Sequence, residues 1–109
     1  MPTLPAQPTI QQLQVYVREL AHERGFTHNP VIEECLLLSE EIGELCKAVR
    51  KHEQLRIDAN SKIGAVEEEL ADILIVLTAI ANHYNIDLEQ AFRAKEAINH
   101  QRVWKKALP

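Results

Sequence analysis

Apolar side chains recur at intervals of three and four residues along most of this 109-residue sequence, and this helical period constrains the fold more than any other feature. Leucine, isoleucine, valine and alanine carry the pattern, whereas aromatic residues make up 5% of the chain and glycines number three. Strands favour β-branched and aromatic residues that alternate with polar ones, and the sequence contains no such segment. The sequence therefore predicts an all-α fold.

Capping residues mark the starts of three of the four predicted helices. Thr9 with Gln12, and Asp87 with Gln90, have the spacing of capping boxes. Asn29 and Pro30 suit the N-cap and the first position of a helix, respectively. The short connections between the helices favour a four-helix bundle. The predicted helices run from Thr9 to Gly25, from Asn29 to about Lys51, from Ser61 to Tyr84 and from Asp87 to about Lys105.

The length of the chain predicts one domain, with residues 1–8 as an irregular leader that contains three prolines and residues 9–109 as the helical unit. A domain this small leaves much of its apolar surface hard to bury within one chain. The apolar surface of the third helix is wide enough to indicate packing on more than one side. We therefore expect self-association. The residues of this surface are Val66, Leu70, Ile73, Leu77 and Ile80, flanked by Leu74, Ala81 and Tyr84.

The net charge of -4 and the lack of a lysine or arginine run argue against binding of nucleic-acid polymers, which requires clustered positive charge. A substrate that carries phosphates would then require a metal ion. The sequence shows neither the regions of a signal peptide nor an apolar run long enough to cross a membrane. Cys35 and Cys46 lie about 16 Å apart along one predicted helix, too far for a disulfide, which favours reduced core thiols and a cytoplasmic protein.

Two pairs of carboxylates have the same spacing on two different predicted helices. Glu41 and Glu44 point about 60° apart on the second helix, and Glu69 and Asp72 do the same on the third, at roughly 100° per residue. If these helices pack side by side, the four carboxylates converge on one acidic cleft, where they would repel one another strongly without a cation. Mg²⁺ is the natural occupant, since it binds a few carboxylates together with substrate phosphates, and Mn²⁺ also suits oxygen ligands.

Three other interpretations of the acidic residues stay open at this point. Glutamate is a strong helix former, and acidic residues at this spacing commonly mark a solvated helix face. Against that interpretation, each pair is directly bordered by apolar positions, where a solvated face is not expected. A di-iron centre would require Glu-x-x-His on two helices, and the sequence has a single copy, Glu19 with His22. A zinc site is less favoured, because no cysteine and histidine set has ligand spacing.

Three motifs occur in a distinctive order. Residues 40–44 read Glu-Glu-Ile-Gly-Glu, and after 24 further residues the positions 69–72 read Glu-Leu-Ala-Asp, within the segment EELADILIVL. Lys95, Asn99 and Arg102 follow on the predicted fourth helix. In this order the motifs resemble the MazG-like, all-α nucleoside triphosphate pyrophosphohydrolases, whose pattern is Glu-Glu-x-x-Glu, a spacer and Glu-x-x-Asp, followed by a basic and amide motif.

The resemblance covers roughly residues 10–106 and implies hydrolysis of a nucleoside triphosphate between its α- and β-phosphates, to a nucleoside monophosphate and pyrophosphate. It also implies a dimer or a tetramer, in which a neighbouring chain completes each nucleotide pocket. Glu40 would support the site or act as the base for the attacking water, with Glu68 as the second candidate. By position, the resemblance implies Glu41, Glu44, Glu69 and Asp72 as Mg²⁺ ligands and Lys95, Asn99 and Arg102 as phosphate-binding residues.

Recognition of the nucleobase leaves a weaker signal in the sequence. Phe26 and His28 in the first loop, Tyr16 on the first helix and Trp104 near the end of the chain could stack on a base. Aromatic residues at such positions more commonly pack in cores or interfaces. His28 and Trp104 are the two candidate substrate contacts that we retain.

The sequence thus predicts an Mg²⁺-dependent nucleotide pyrophosphohydrolase with a house-cleaning role in the nucleotide pool, acting on deoxynucleotides or on non-canonical nucleotides. Phosphoribosyl-ATP pyrophosphohydrolases and dimeric dUTP-hydrolysing enzymes share the implied metal chemistry and are not excluded. The alternative from another class is a non-catalytic helical module for dimerisation or regulation that has kept an acidic metal-binding groove.

Overall fold

A computed structural model describes residues 1–103 of the chain. The regular structure of this part consists of four α-helices, and no strand occurs in it, so the predicted all-α class is confirmed. We number the helices in chain order. They span Ile10–Glu23 (α1), Val31–His52 (α2), Val66–His83 (α3) and Leu88–Asn99 (α4).

Helix α1 begins at the predicted capping box. The backbone N–H of Gln12 donates to Thr9 Oγ1 at 3.1 Å, and the backbone N–H of Thr9 donates to Gln12 Oε1 at 2.8 Å. The chain turns after the helix at Gly25, whose φ of +77° lies in the left-handed region that glycine adopts without strain. Val17 and Leu20 are the buried apolar residues of α1, which fixes the face that α1 turns towards the rest of the protein.

Three helix boundaries differ from those predicted. Pro30 is the N-cap of α2 and not its first residue. Helix α3 starts at Val66, five residues later than expected, and residues 61–65 are not helical. Glu68 Oε1 caps this start by accepting a hydrogen bond from the backbone N–H of Ala65 at 3.3 Å. Helix α4 ends at Asn99 and is followed by a turn, so it is shorter than the predicted helix, whose last two residues lie outside the described part.

Helices α2 and α3 form the most extensive helix pair, α1 packs against α3, and α4 makes a smaller contact with α1. A buried glutamine, Gln14, joins α1 to the segment between α3 and α4. Its Nε2 donates to the backbone oxygen of Ile86 at 2.7 Å and to Asn82 Oδ1 at 3.2 Å, and its Oε1 accepts from the backbone N–H of Leu88 at 3.0 Å. These bonds set the direction in which α4 leaves α3.

Much apolar surface stays exposed on this single chain. The stripe predicted for the third helix is only partly covered, since Leu70 and Leu77 are exposed together with the flanking Leu74. Cys35 and Cys46 are free and exposed, so the prediction of core thiols was wrong for the isolated chain. The radius of gyration is 17.1 Å, whereas a compact domain of this length is expected at about 13 Å. Among the described residues no helix is both long and apolar enough to cross a bilayer.

Candidate metal centre

Three acidic side chains meet where α2 packs against α3. Glu41 comes from α2, and Glu69 and Asp72 come from α3, where their three-residue spacing places them on one face. One carboxylate oxygen from each residue lies within 4.8 Å of the corresponding oxygens of the other two. The structure therefore brings together three of the four carboxylates that the sequence predicted to converge.

The electrostatics of this cluster show that the negative charge is poorly compensated. Burial raises the pKa of the Glu41 carboxyl above its ordinary value of 4.5, and the charges of Asp72, Glu69, Glu44 and Glu40 raise it further, in that order. Each of these effects disfavours the ionised form. Hard divalent cations with oxygen ligands would remove the repulsion, so the donor set fits Mg²⁺ or Mn²⁺.

The other two glutamates of the second-helix motif lie at the edge of the cluster. Glu44 is half-buried and close enough to raise the pKa of Glu41, but it is not one of the three whose oxygens converge. Its Oε1 lies 3.9 Å from Lys47 Nζ, an ion pair that is too exposed to bind strongly. Glu40 is exposed and precedes Glu41. The structure of one chain thus gives Glu44 and Glu40 outer positions around the cluster.

Glu68 caps the start of α3, a role that was not predicted from the sequence. Its carboxylate oxygen accepts the Ala65 N–H at the start of α3. A side chain held there stabilises the helix end. The prediction that Glu68 is a second candidate base therefore has a competing explanation in the fold.

Gly64 is a further residue that the sequence analysis did not single out. The Glu69 side chain is 8% exposed and lies directly against Gly64, so that a Cβ atom at position 64 would overlap Glu69 Oε1. The glycine thus makes room for the Glu69 carboxylate in the cluster. The only indication of this role in the sequence is the position of the glycine, five residues before Glu69. That position lay within the predicted third helix.

We expect Gly64→Ala to lower the affinity for Mg²⁺ by about 10-fold to 100-fold, the effect of displacing a metal ligand through its surroundings. Gly43→Ala is the matched control, because the added Cβ would meet no atom within 4 Å beyond its chain neighbours and the backbone of its own helix, and alanine is favoured over glycine inside a helix. Titration calorimetry with Mg²⁺ on both variants measures the difference. Equal affinities in the two variants would show that the contact with Gly64 does not position Glu69.

The predicted phosphate-binding residues are not on the α2–α3 pair that carries the acidic cluster. Lys95 and Asn99 are on α4, whose main neighbour is α1, and Arg102 follows the end of the helix. The prediction that the fourth helix carries all three was therefore wrong for Arg102. Asn99 Nδ2 donates to Glu96 Oε2 at 3.3 Å, while Asn99 Oδ1 is buried without a hydrogen-bond donor in the described part of the chain.

Of the two candidate base contacts, the structure describes His28. His28 is exposed in the loop after α1, whereas its neighbours Thr27 and Asn29 line a cavity between this loop, α1, α2 and α3. Phe26 lines the same cavity. Trp104 lies outside the described residues.

The family model described as the MazG nucleotide pyrophosphohydrolase domain matches residues 26–103. This span contains α2, α3 and α4, and with them all three acidic residues of the cluster. The match therefore rests on the helices that build the candidate site.

Relatives with assigned activities are similar over most of the chain. A dATP/dGTP diphosphohydrolase of cyanophage S-2L is 33% identical over 99 residues, which are 91% of this chain and 81% of the relative. The dCTP pyrophosphatase 1 of Mus musculus is 31% identical over 102 residues, which are 88% of this chain but 59% of the mouse protein. This chain thus spans little more than half of the mammalian relative.

Solved structures agree with these sequence similarities. A MazG-like pyrophosphohydrolase of cyanophage S-2L, bound to dGDP and three catalytic Mn²⁺ ions per active site, matches with a TM-score of 0.70 and 28% identity, covering 94% of this chain and 89% of that one. The iMazG protein from Vibrio DAT 722 matches with a TM-score of 0.63 and 30% identity, covering 84% and 98%. The fold similarity extends well beyond the acidic motifs.

Proposed function

Because this chain belongs to the MazG nucleotide pyrophosphohydrolase family, we propose that it hydrolyses deoxynucleoside triphosphates between the α- and β-phosphates, releasing a nucleoside monophosphate and pyrophosphate. Membership of the family confirms the resemblance seen in the sequence and the prediction of an enzyme that acts on nucleotides. A role in the nucleotide pool agrees with relatives that are a dATP/dGTP diphosphohydrolase and a dCTP pyrophosphatase.

One observation carries the proposal, namely the convergence of Glu41, Glu69 and Asp72 within 4.8 Å at the contact of α2 with α3. A solvated acidic face does not bury a glutamate such as Glu69 beside two further carboxylates. The S-2L structure, with dGDP and Mn²⁺, supports a divalent metal as cofactor, as the sequence predicted. We assign Mg²⁺ as the cofactor, with Mn²⁺ as a substitute.

The residues of the site have separate roles in this proposal. Glu41, Glu69 and Asp72 hold the metal, and Glu44 joins them from the next turn of α2. When bound, the metal supplies positive charge that offsets the charge developing on the phosphate oxygens. Glu40 points about 100° away from Glu41 around the helix, and from there it accepts the proton of the attacking water.

Phosphate and base contacts complete the proposed pocket. Lys95, Asn99 and Arg102 bind phosphate oxygens, and their location on and after α4, away from the α2–α3 pair, favours a contribution from a neighbouring chain. His28 and Trp104 remain candidate contacts of the base. We treat residues 9–109 as one helical domain behind a leader of residues 1–8.

We also propose self-association as a dimer or a tetramer in the cytoplasm. The protein exposes 9051 Å², whereas a folded monomer of this mass is expected to expose about 6,100 Å². Exposed leucines of α3, among them Leu70, Leu74 and Leu77, supply the apolar surface that a partner would cover. The free cysteines suit a reducing compartment.

A substrate panel tests the proposed reaction. The purified protein is incubated with each common deoxynucleoside and ribonucleoside triphosphate and Mg²⁺, and pyrophosphate and orthophosphate are measured in parallel. We expect pyrophosphate as the phosphate product of at least one deoxynucleotide. Orthophosphate alone, or no hydrolysis at high protein concentration, would reject the proposal and favour the non-catalytic module.

Sedimentation velocity tests the assembly. We expect a species of at least twice the chain mass of 12.4 kDa. A charge placed in the α3 surface by Leu74→Lys should shift it towards the monomer, whereas Leu55→Lys, in the exposed connection after α2, should not. A wild-type protein that sediments as a monomer at high concentration would contradict the assembly.

A further inference from the structure

Glu34 on the first turns of α2 is an acidic residue to which the proposed reaction gives no task. One of its carboxylate oxygens, Oε2, is buried, and no donor in the described part of the chain is within hydrogen-bonding distance. A buried carboxylate oxygen without a donor is costly. Such an oxygen in a native structure needs an explanation, and a ligand that supplies the donor is one.

Glu34 is part of the lining of two adjoining cavities of about 380 and 260 Å³. Both are bounded by Phe26 and Asn29 from the loop after α1, by Glu34 from α2 and by Ala79 from α3. The smaller one is mainly apolar, with Val17 and other aliphatic side chains in its walls. A mainly apolar cavity with a few polar groups is the usual form of a site for a flat organic ring.

The cavity lies at the right distance from the metal cluster. Glu34 precedes Glu41 by seven residues, which is two helical turns, about 10.5 Å along α2 and nearly the same face. On α3, the cavity wall begins with Ile75 and Val76, one turn after Asp72. A nucleotide whose phosphates reach the three carboxylates can therefore extend its sugar and base along the α2–α3 groove into this cavity.

We propose that this cavity binds the nucleobase and that Glu34 selects guanine, an inference that rests on the proposed nucleotide hydrolysis. A carboxylate accepts hydrogen bonds but donates none, so it favours bases that present N–H groups. Guanine presents two adjacent donors, N1–H and the 2-amino group, which match the two oxygens of one carboxylate in a bidentate pair.

The other bases satisfy Glu34 less well. Adenine and cytosine each place a ring acceptor beside their amino group, and thymine and uracil place carbonyl oxygens on both sides of their single N–H. In each of these bases one carboxylate oxygen faces another acceptor. Phe26, which is 51% exposed at the cavity mouth, supplies a ring on which a purine can stack.

The inference is tested with dGTP and dITP, whose bases differ by the 2-amino group alone. We expect the wild-type protein with Mg²⁺ to give a kcat/KM for dGTP about tenfold or more above that for dITP, the effect of one charge-assisted hydrogen bond. Glu34→Gln removes the charge with little change in size and should bring the ratio close to one. Its melting temperature and circular dichroism report on folding.

Glu33→Gln is the matched control. Glu33 is the exposed neighbour of Glu34 in the first turn of α2, so the two substitutions remove the same charge from the same helix end. Glu33→Gln should keep the preference for dGTP. An unchanged ratio in Glu34→Gln, or an equal loss in both variants, overturns the assignment of Glu34 while leaving the hydrolysis itself intact.

Failure of the proposed hydrolysis is distinguishable from failure of this inference. If no nucleotide is hydrolysed, binding of dGMP and dIMP in the presence of Mg²⁺ is measured by calorimetry. Tighter binding of dGMP, lost in Glu34→Gln and kept in Glu33→Gln, supports base selection by Glu34. Equal affinities for the two monophosphates overturn it.

Discussion

Glu41→Gln and Asp72→Asn will each lower kcat/KM for nucleotide hydrolysis by about a thousandfold or more, the scale on which metal and oxyanion interactions stabilise a transition state. Each substitution removes one negative charge and one ligand atom with little change in volume. The two residues come from different helices, so a shared loss would locate the metal at the contact of α2 with α3. Steady-state kinetics with saturating Mg²⁺ measure the effect.

Glu67→Gln is the control for these variants. Glu67 is exposed in the first turn of α3 and lies outside the converging group, so its substitution removes an acidic charge near the cluster without removing a ligand. We expect activity within about twofold of the wild type, as for ordinary surface substitutions. Wild-type activity in both Glu41→Gln and Asp72→Asn would show that the assignment of these residues as metal ligands is wrong.

Removal of divalent metal is the second large effect. With excess EDTA we expect no detectable hydrolysis, and addition of Mg²⁺ or Mn²⁺ should restore it. Saturating metal at about 100 times Kd contributes roughly 2.7 kcal/mol to the free energy of unfolding, so the melting temperature should rise by about 10 °C or more in a domain of this size. Differential scanning calorimetry with and without metal measures the shift, and an unchanged melting temperature would contradict a built metal site.

The raised pKa of Glu41 gives this effect a defined pH dependence. Between the ordinary value of 4.5 and the higher folded value, the folded metal-free protein binds more protons than the unfolded chain. The stability that this group contributes is therefore present at low pH and is lost as pH rises through the folded pKa. Metal-free Glu41→Gln should become progressively more stable than the metal-free wild type over that rise, and Mg²⁺ should reverse the order.

The sequence predicted the helices better than their ends. The capping pair Thr9 and Gln12 forms as expected because both partners are three residues apart in one local motif. The start of α3 was misplaced because Ile63 and Gly64 continue an apolar pattern outside the helix, and the cap comes from Glu68 inside it. A cap of this kind has no N-cap side chain by which the sequence could mark it.

The site was predictable as far as it lies on regular helices. The three-residue spacing of Glu69 and Asp72 fixes their shared face, and the repeated motif on α2 suggested the pairing with Glu41. The contact of Gly64 with Glu69 depends on the non-helical backbone before α3, and the cavity beside Glu34 depends on residues from α1 and α3, so helical spacing does not reveal either role. The width of the apolar surface of α3 indicated that one chain would not cover it, whereas the exposure of Cys35 and Cys46 was not predicted.

Crystals of the wild-type protein grown with Mn²⁺ and dGMP would test the central claim most directly, through the anomalous scattering of manganese. We expect anomalous peaks bounded by the carboxylates of Glu41, Glu69 and Asp72, with Glu44 completing the ligand set. Peaks located elsewhere, or a cluster in which the three carboxylates are instead paired with basic side chains and hold no manganese, would contradict the account.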